Sequence, residues 1–139
     1  MKPLLVGESN PYGSDPRYAL YPAPENSAGG RLCRLVMGLG IRDYISRFDR
    51  ANLCAGPWRI REARARALEL LAERKVGAFV LLGAKVQSAF GFTFAENVVD
   101  DSGPRTFVFL PHPSGLSRSW NVPGAYELAR STLQRAGVL

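Results

Sequence analysis

Short uninterrupted apolar runs at residues 4–7, 78–82 and 106–110, spaced by stretches with helical periodicity, constrain this chain more than any other feature. A strand with apolar side chains on both faces must be covered on both faces, which calls for helices above and below a sheet. Residues 50–54 form a further short strand candidate. Helices are expected over 29–39, with Ser27 as cap and Gly40 as stop, over 57–75, opened by Pro57, over 84–90, and over 123–136, with Gly137 beyond it. Ile60, Ala63, Ala67, Leu68 and Leu71 read as the apolar face of the second helix. Residues 14–28 read as a long proline-rich loop. Alternating strands and helices predict an α/β fold: a single three-layer α/β/α domain over residues 1–139, with a short, mostly parallel, four-stranded central sheet.

Composition narrows the function. The opening residues reach a Gly/Pro loop too soon for a signal peptide, and no apolar run approaches the roughly 20 residues of a membrane helix. A soluble cytoplasmic monomer is therefore expected, nucleoid-associated if bacterial, with no membrane partner. Cys33 and Cys54 are the only cysteines and lack CxxC spacing, which excludes a disulfide framework and a four-thiolate metal site within this chain. They read as buried free thiols. No metal and no cofactor is expected. Lysine and arginine outnumber aspartate and glutamate by 18 to 12, giving +6 at pH 7 and a pI near 9.8, which favours a polyanionic partner.

In a mostly parallel sheet, ligands bind beyond the carboxyl ends of the strands. Three loops follow predicted strand ends: Gly7-Glu8-Ser9-Asn10-Pro11-Tyr12-Gly13, Asn52-Leu53-Cys54-Ala55-Gly56, and His112-Pro113-Ser114-Gly115-Leu116-Ser117-Arg118. Almost the whole chain separates the first from the last, yet both can open onto one crevice.

The first and last of these loops resemble the two signature motifs of the uracil-DNA glycosylase superfamily, and the resemblance extends over most of the chain as an ordered series of segments. It implies hydrolysis of the N-glycosidic bond of a flipped base in DNA, uracil or a related deaminated or modified base, to leave an abasic site without a covalent lysine intermediate. In the first loop, Asn10 precedes Pro11 where the uracil-specific branch has Asp and the mismatch-specific branch has Asn. Glu8 follows Gly7 as the glutamate does in the iron–sulfur-type branch, whose cysteines are absent here. The loop is longer than either pattern by one residue, so the role of holding the attacking water is divided between Asn10 and Glu8, with Asn10 placed ahead. Tyr12 stands where the uracil-specific enzymes use a ring to exclude thymine.

For the second loop the resemblance implies that His112 donates to the base oxygen that gains charge as the bond breaks. It also implies that Leu116 is an apolar wedge and that Ser114, Ser117 and Arg118 contact DNA phosphates. The loop matches the mismatch-specific pattern with His in place of its Asn, as in the uracil-specific branch. Asn52 stands for the residue that reads a pyrimidine edge, and Tyr21, or Tyr18 beside it, for the ring that stacks on the base.

Each of these residues also has a plain structural use: Asn10 in a turn, Tyr12, Tyr18 and Tyr21 as packing anchors, His112 as a hydrogen-bonding loop residue. Arg59 and Arg61 open the arginine-rich helix, where a solvated face with a Glu62–Arg66 pair is the favoured reading. Lys85, in a strand-to-helix turn, is given no catalytic role. The alternative function is a non-catalytic DNA- or uracil-recognition protein on the same fold. A hydrolase of free nucleosides would leave Leu116, Arg118 and the positive balance unexplained.

Overall fold

The computed structural model describes residues 1–10, 13–114 and 117–139. Among these, one mostly parallel sheet is covered by helices on both faces. Its strands are β1 (Leu4–Ser9), β2 (Asp49–Cys54), β3 (Gly77–Leu82), β4 (Val98–Asp100) and β5 (Arg105–Leu110), in the order β2-β1-β3-β5-β4. All neighbours run parallel except β4, which pairs antiparallel with β5. The α/β architecture is thus as expected, but the sheet has a fifth strand. The short, half-exposed edge segment Val98–Asp100 carries too few apolar residues to stand out in the sequence.

Alternation along each strand sorts the core into two layers. Leu5, Val80, Leu82, Val108 and Leu110 meet Leu32, Val36, Tyr44, Ala129 and Leu133 on one face. Leu4, Val6, Phe79, Leu81 and Phe109 meet Ala63, Ala67, Leu70, Val86 and Ala89 on the other. The first face is covered by α1 (Ala28–Arg31) with its π-helical continuation Leu32–Val36, by α2 (Ile41–Arg47) and by α5 (Ala125–Arg135); the second by α3 (Ile60–Glu73) and α4 (Ala84–Ala89).

Several helix boundaries differ from expectation. The helix expected over 29–39 is a single α turn that widens into a π turn, and Gly38, at φ +68°, reverses the chain behind it. Gly40 is the N-cap of a helix that sequence reading missed, α2, and not a stop. Ser27 does cap α1: its Oγ accepts from the Gly30 amide at 3.0 Å. Pro57 lies outside α3, because the Cys54 sulfur accepts from the Arg59 amide at 3.4 Å and holds residues 55–59 in a turn. The buried stripe of α3 is Ala63, Ala67 and Leu70; Ile60 and Leu68 face solvent. Arg66 pairs with Glu69 at 2.9 Å and Glu73 at 3.6 Å, in place of the expected Glu62. The loop over 14–28 contains one 3-10 turn, Pro16–Tyr18, capped by Asp15.

From β1 the chain moves outward to β2 and then back across to β3, so strand order reverses between β1 and β3. That point, at the carboxyl ends of the strands, is where a parallel sheet leaves a crevice.

Candidate functional site

A cavity of about 280 Å³ opens there, near the small end of the ~300–1,000 Å³ range of small-molecule sites. It is lined by Glu8 and Ser9 from β1, Tyr18, Leu20 and Tyr21 from the long loop, Asn26 to Gly29 at the start of α1, Asn52 from β2, and His112 and Ser114 behind β5.

Glu8 is aimed by strand geometry. β1 runs to Ser9, two residues further than expected, so Glu8 shares the face of Leu4 and Val6 and turns towards α4. Its Oε2 lies 3.7 Å from His112 Nε2, and its Oε1 lies 3.9 Å from Lys85 Nζ. The carboxylate is about three-quarters buried, as is the imidazole.

His112 is held on three sides. The Ser114 amide donates to Nδ1 at 3.1 Å, the backbone carbonyl accepts from Trp120 Nε1 at 2.7 Å, and Gly83 packs under the Cβ. A Cβ on Gly83 would stand 3.0 Å from that of His112, and its φ of +92° and ψ of 167° suit glycine alone. With Nδ1 accepting, the neutral ring carries its proton on Nε2, the nitrogen facing Glu8. Burial pushes the imidazole below its ordinary value, the Glu8 carboxylate opposes that shift, and the Lys85 ammonium adds to it.

Asn52 reaches the cavity over Gly7, its register partner on β1, where a Cβ would stand 2.8 Å from Asn52 Oδ1. Gly7 is therefore a site residue by omission. The rings of Tyr18 and Tyr21 meet edge to face at 5.3 Å, and the Arg50 guanidinium lies 5.7 Å from the Tyr21 ring centroid. Arg50 also donates to the Ala19 carbonyl and Tyr44 to that of Leu20, fixing the segment that presents both rings.

Of the residues singled out in the sequence, Glu8, Tyr21, Asn52, His112 and Ser114 line this one cavity, and Tyr18 joins them. Asn10 lines a neighbouring cavity of about 420 Å³ across Asn52, and its amide donates to the Asp15 carbonyl at 3.3 Å. Ser117 donates its amide to the Ser114 carbonyl, and Arg118 is exposed at the start of a 3-10 turn, Arg118–Asn121. Tyr12 and Leu116 lie outside the described residues. Arg59 and Arg61 are exposed. Cys33 and Cys54 are buried free thiols, both pushed up by burial.

Two supporting residues were missed. The fully buried Gln87 of α4 accepts from the Ala95 amide at 2.8 Å and donates to the carbonyls of Ala95, Leu81 and Leu110, tying the ends of β3 and β5 to the loop after α4. A glutamine in an otherwise apolar stretch was the available signal. Trp120, stacked on Tyr126 at 5.1 Å, anchors the His112 loop from eight residues away.

The arrangement can orient a water with a carboxylate, donate a hydrogen bond from an imidazole beside it, stack a flat ring and pair with its edge. Among the described residues no helix is long and apolar enough to cross a membrane. In comparisons with models of protein families and with curated proteins, none matches this chain.

Proposed function

We propose that the protein is a DNA glycosylase acting on a flipped uracil, or a related deaminated or modified base, and leaving an abasic site. The observation that carries this reading is the Glu8–His112 pair, 3.7 Å apart in a cavity that also holds Tyr18, Tyr21 and Asn52. In the proposed reaction the bond between C1′ and the base nitrogen breaks with its electrons moving into the base. His112 Nε2–H donates to the base oxygen on which that charge collects. Water adds to C1′ and gives its proton to the Glu8 carboxylate. Asn52 pairs with the base edge and Tyr21 covers its face. The sequence placed Asn10 ahead as water holder; its position in the adjoining cavity moves the proposed role to Glu8. A net charge of +6 supports a polyanionic substrate.

The test is base release from end-labelled oligonucleotides carrying one uracil, hypoxanthine, xanthine or hydroxymethyluracil, single- and double-stranded, with abasic sites revealed by alkali. Release that falls roughly 10²–10³-fold in His112→Ala, with DNA affinity kept, is the expected result. Retained affinity without release from any substrate would overturn it in favour of a DNA- or uracil-recognition protein.

A further inference from the structure

The Glu8 carboxylate is shared between two cationic or potentially cationic groups, one on each oxygen. His112 Nε2 stands 3.7 Å from Oε2, and Lys85 Nζ stands 3.9 Å from Oε1. Lys85 comes from the second residue of α4, immediately behind the Gly83 turn that packs against His112, and its ammonium also lies 5.9 Å from the centroid of the Trp58 ring. The ammonium thus lies near both the Glu8 carboxylate and the Trp58 ring, on a side chain that is 58% exposed and does not line the cavity.

An imidazole beside a carboxylate tends to take a proton and close on it as an ion pair. Within this cavity such closure would consume both groups: Nε2–H would point at Glu8 and Glu8 at the ring. We propose that Lys85 is a positioning residue that holds one oxygen of the Glu8 carboxylate and so keeps Glu8 from closing onto His112, leaving the neutral imidazole to donate from Nε2 into the cavity. This role rests on the glycosylase reading for its purpose, but the electrostatic arrangement stands on the geometry alone. The same ammonium favours the neutral ring, in the direction in which burial already pushes it.

Among the described residues, further titratable groups also face the pair. Cys54, at the end of β2, feels the Glu8 charge and is itself beside Glu62 of α3, and the phenols of Tyr18 and Tyr21 lie across the cavity. Among the described residues, Lys85 is the cation placed to bear on both members of the pair.

His112 is the chain's single histidine, so its titration can be followed by NMR without assignment ambiguity. The imidazole is titrated in the full-length protein without DNA, in wild type, Lys85→Met and Lys85→Arg. The midpoint should rise in Lys85→Met and return close to wild type in Lys85→Arg. A midpoint that does not move in Lys85→Met, or that rises equally in Lys85→Arg, would overturn the proposal. In base-release assays the acid side of the Lys85→Met rate profile should move upward together with that midpoint. Because the titration needs no substrate, the two readings separate. Base release with an unmoved midpoint removes Lys85 and keeps the glycosylase; a raised midpoint without base release keeps the Lys85 arrangement and removes the glycosylase.

Discussion

Replacing Gln87 by leucine, a side chain of similar size, removes the amide that ties the ends of β3 and β5 to Ala95. The two short bonds, 2.8 Å from the Ala95 amide and 3.0 Å to its carbonyl, are each worth about 1 kcal/mol net. The two contacts at 3.3 Å share the same amide hydrogens and add little. Leaving an Ala95 polar group without a partner costs a further ~1–3 kcal/mol, and the added apolar surface of leucine returns roughly 1–2 kcal/mol. The net destabilisation is about 1–4 kcal/mol. With a urea dependence of about 1.5 kcal/mol/M, the unfolding midpoint should fall by roughly 0.7–2.7 M, read from tryptophan fluorescence and circular dichroism together. A midpoint within about 0.3 M of wild type, at unchanged slope, would refute the view that this amide clamps the strand ends. The same substitution should lower base release under native conditions, because Leu81 and Leu110 immediately precede the segments carrying Lys85 and His112.

Gly83→Ala puts a Cβ at φ +92° and against His112, at a strain of about 1–3 kcal/mol, and should lower the melting temperature by roughly 3–10 °C; an unchanged melting curve would show that the turn relaxes freely. Glu8→Gln should reduce base release by about 10²–10⁴-fold and Asn10→Ala by less than about tenfold, and the reverse ranking in single-turnover assays would return the water to Asn10. Because burial holds His112 below its ordinary value near 6.5, the unfolded chain binds the proton first as pH falls. The stability that His112 contributes is therefore complete above that value and is lost as pH drops through the folded titration. Thermal melts from pH 8 downward should show this loss in wild type and a smaller one in His112→Asn; equal losses would discard the linkage.

The architecture was legible because burial on both faces leaves a strand no polar positions to spare. The runs at residues 4–7, 78–82 and 106–110 read as strands covered on both faces, and a parallel sheet puts their outgoing loops at one end. The edge strand Val98–Asp100 and helix α2 were illegible, since each buries too little of itself to impose a pattern: Tyr44 is the buried residue of α2. The stripe on α3 was misjudged at Leu68, exposed while Leu70 is buried, because several aliphatic residues in a row fit more than one helical face.

At the site, the residue types came from the sequence and their spatial grouping from the tertiary structure. His112, Asn52 and Tyr21 were named through the resemblance of their segments, and the fold brings the three to one cavity from the loop behind β5, from within β2 and from the long loop after β1. The different surroundings of Glu8 and Asn10 follow from β1 continuing to Ser9: strand alternation turns Glu8 towards α4, where it meets Lys85 and His112, while Asn10, beyond the strand, donates to the Asp15 carbonyl. Gly7 and Gly83 acquire meaning in the same way, through the side chain of Asn52 on β2 and that of His112 in the loop after β5. Sequence specifies which groups are present and how each local segment can bend. Long-range packing fixes the ångström separations on which a carboxylate, an ammonium and an imidazole act on one another, because Coulombic and hydrogen-bond energies depend on those separations and not on distance along the chain.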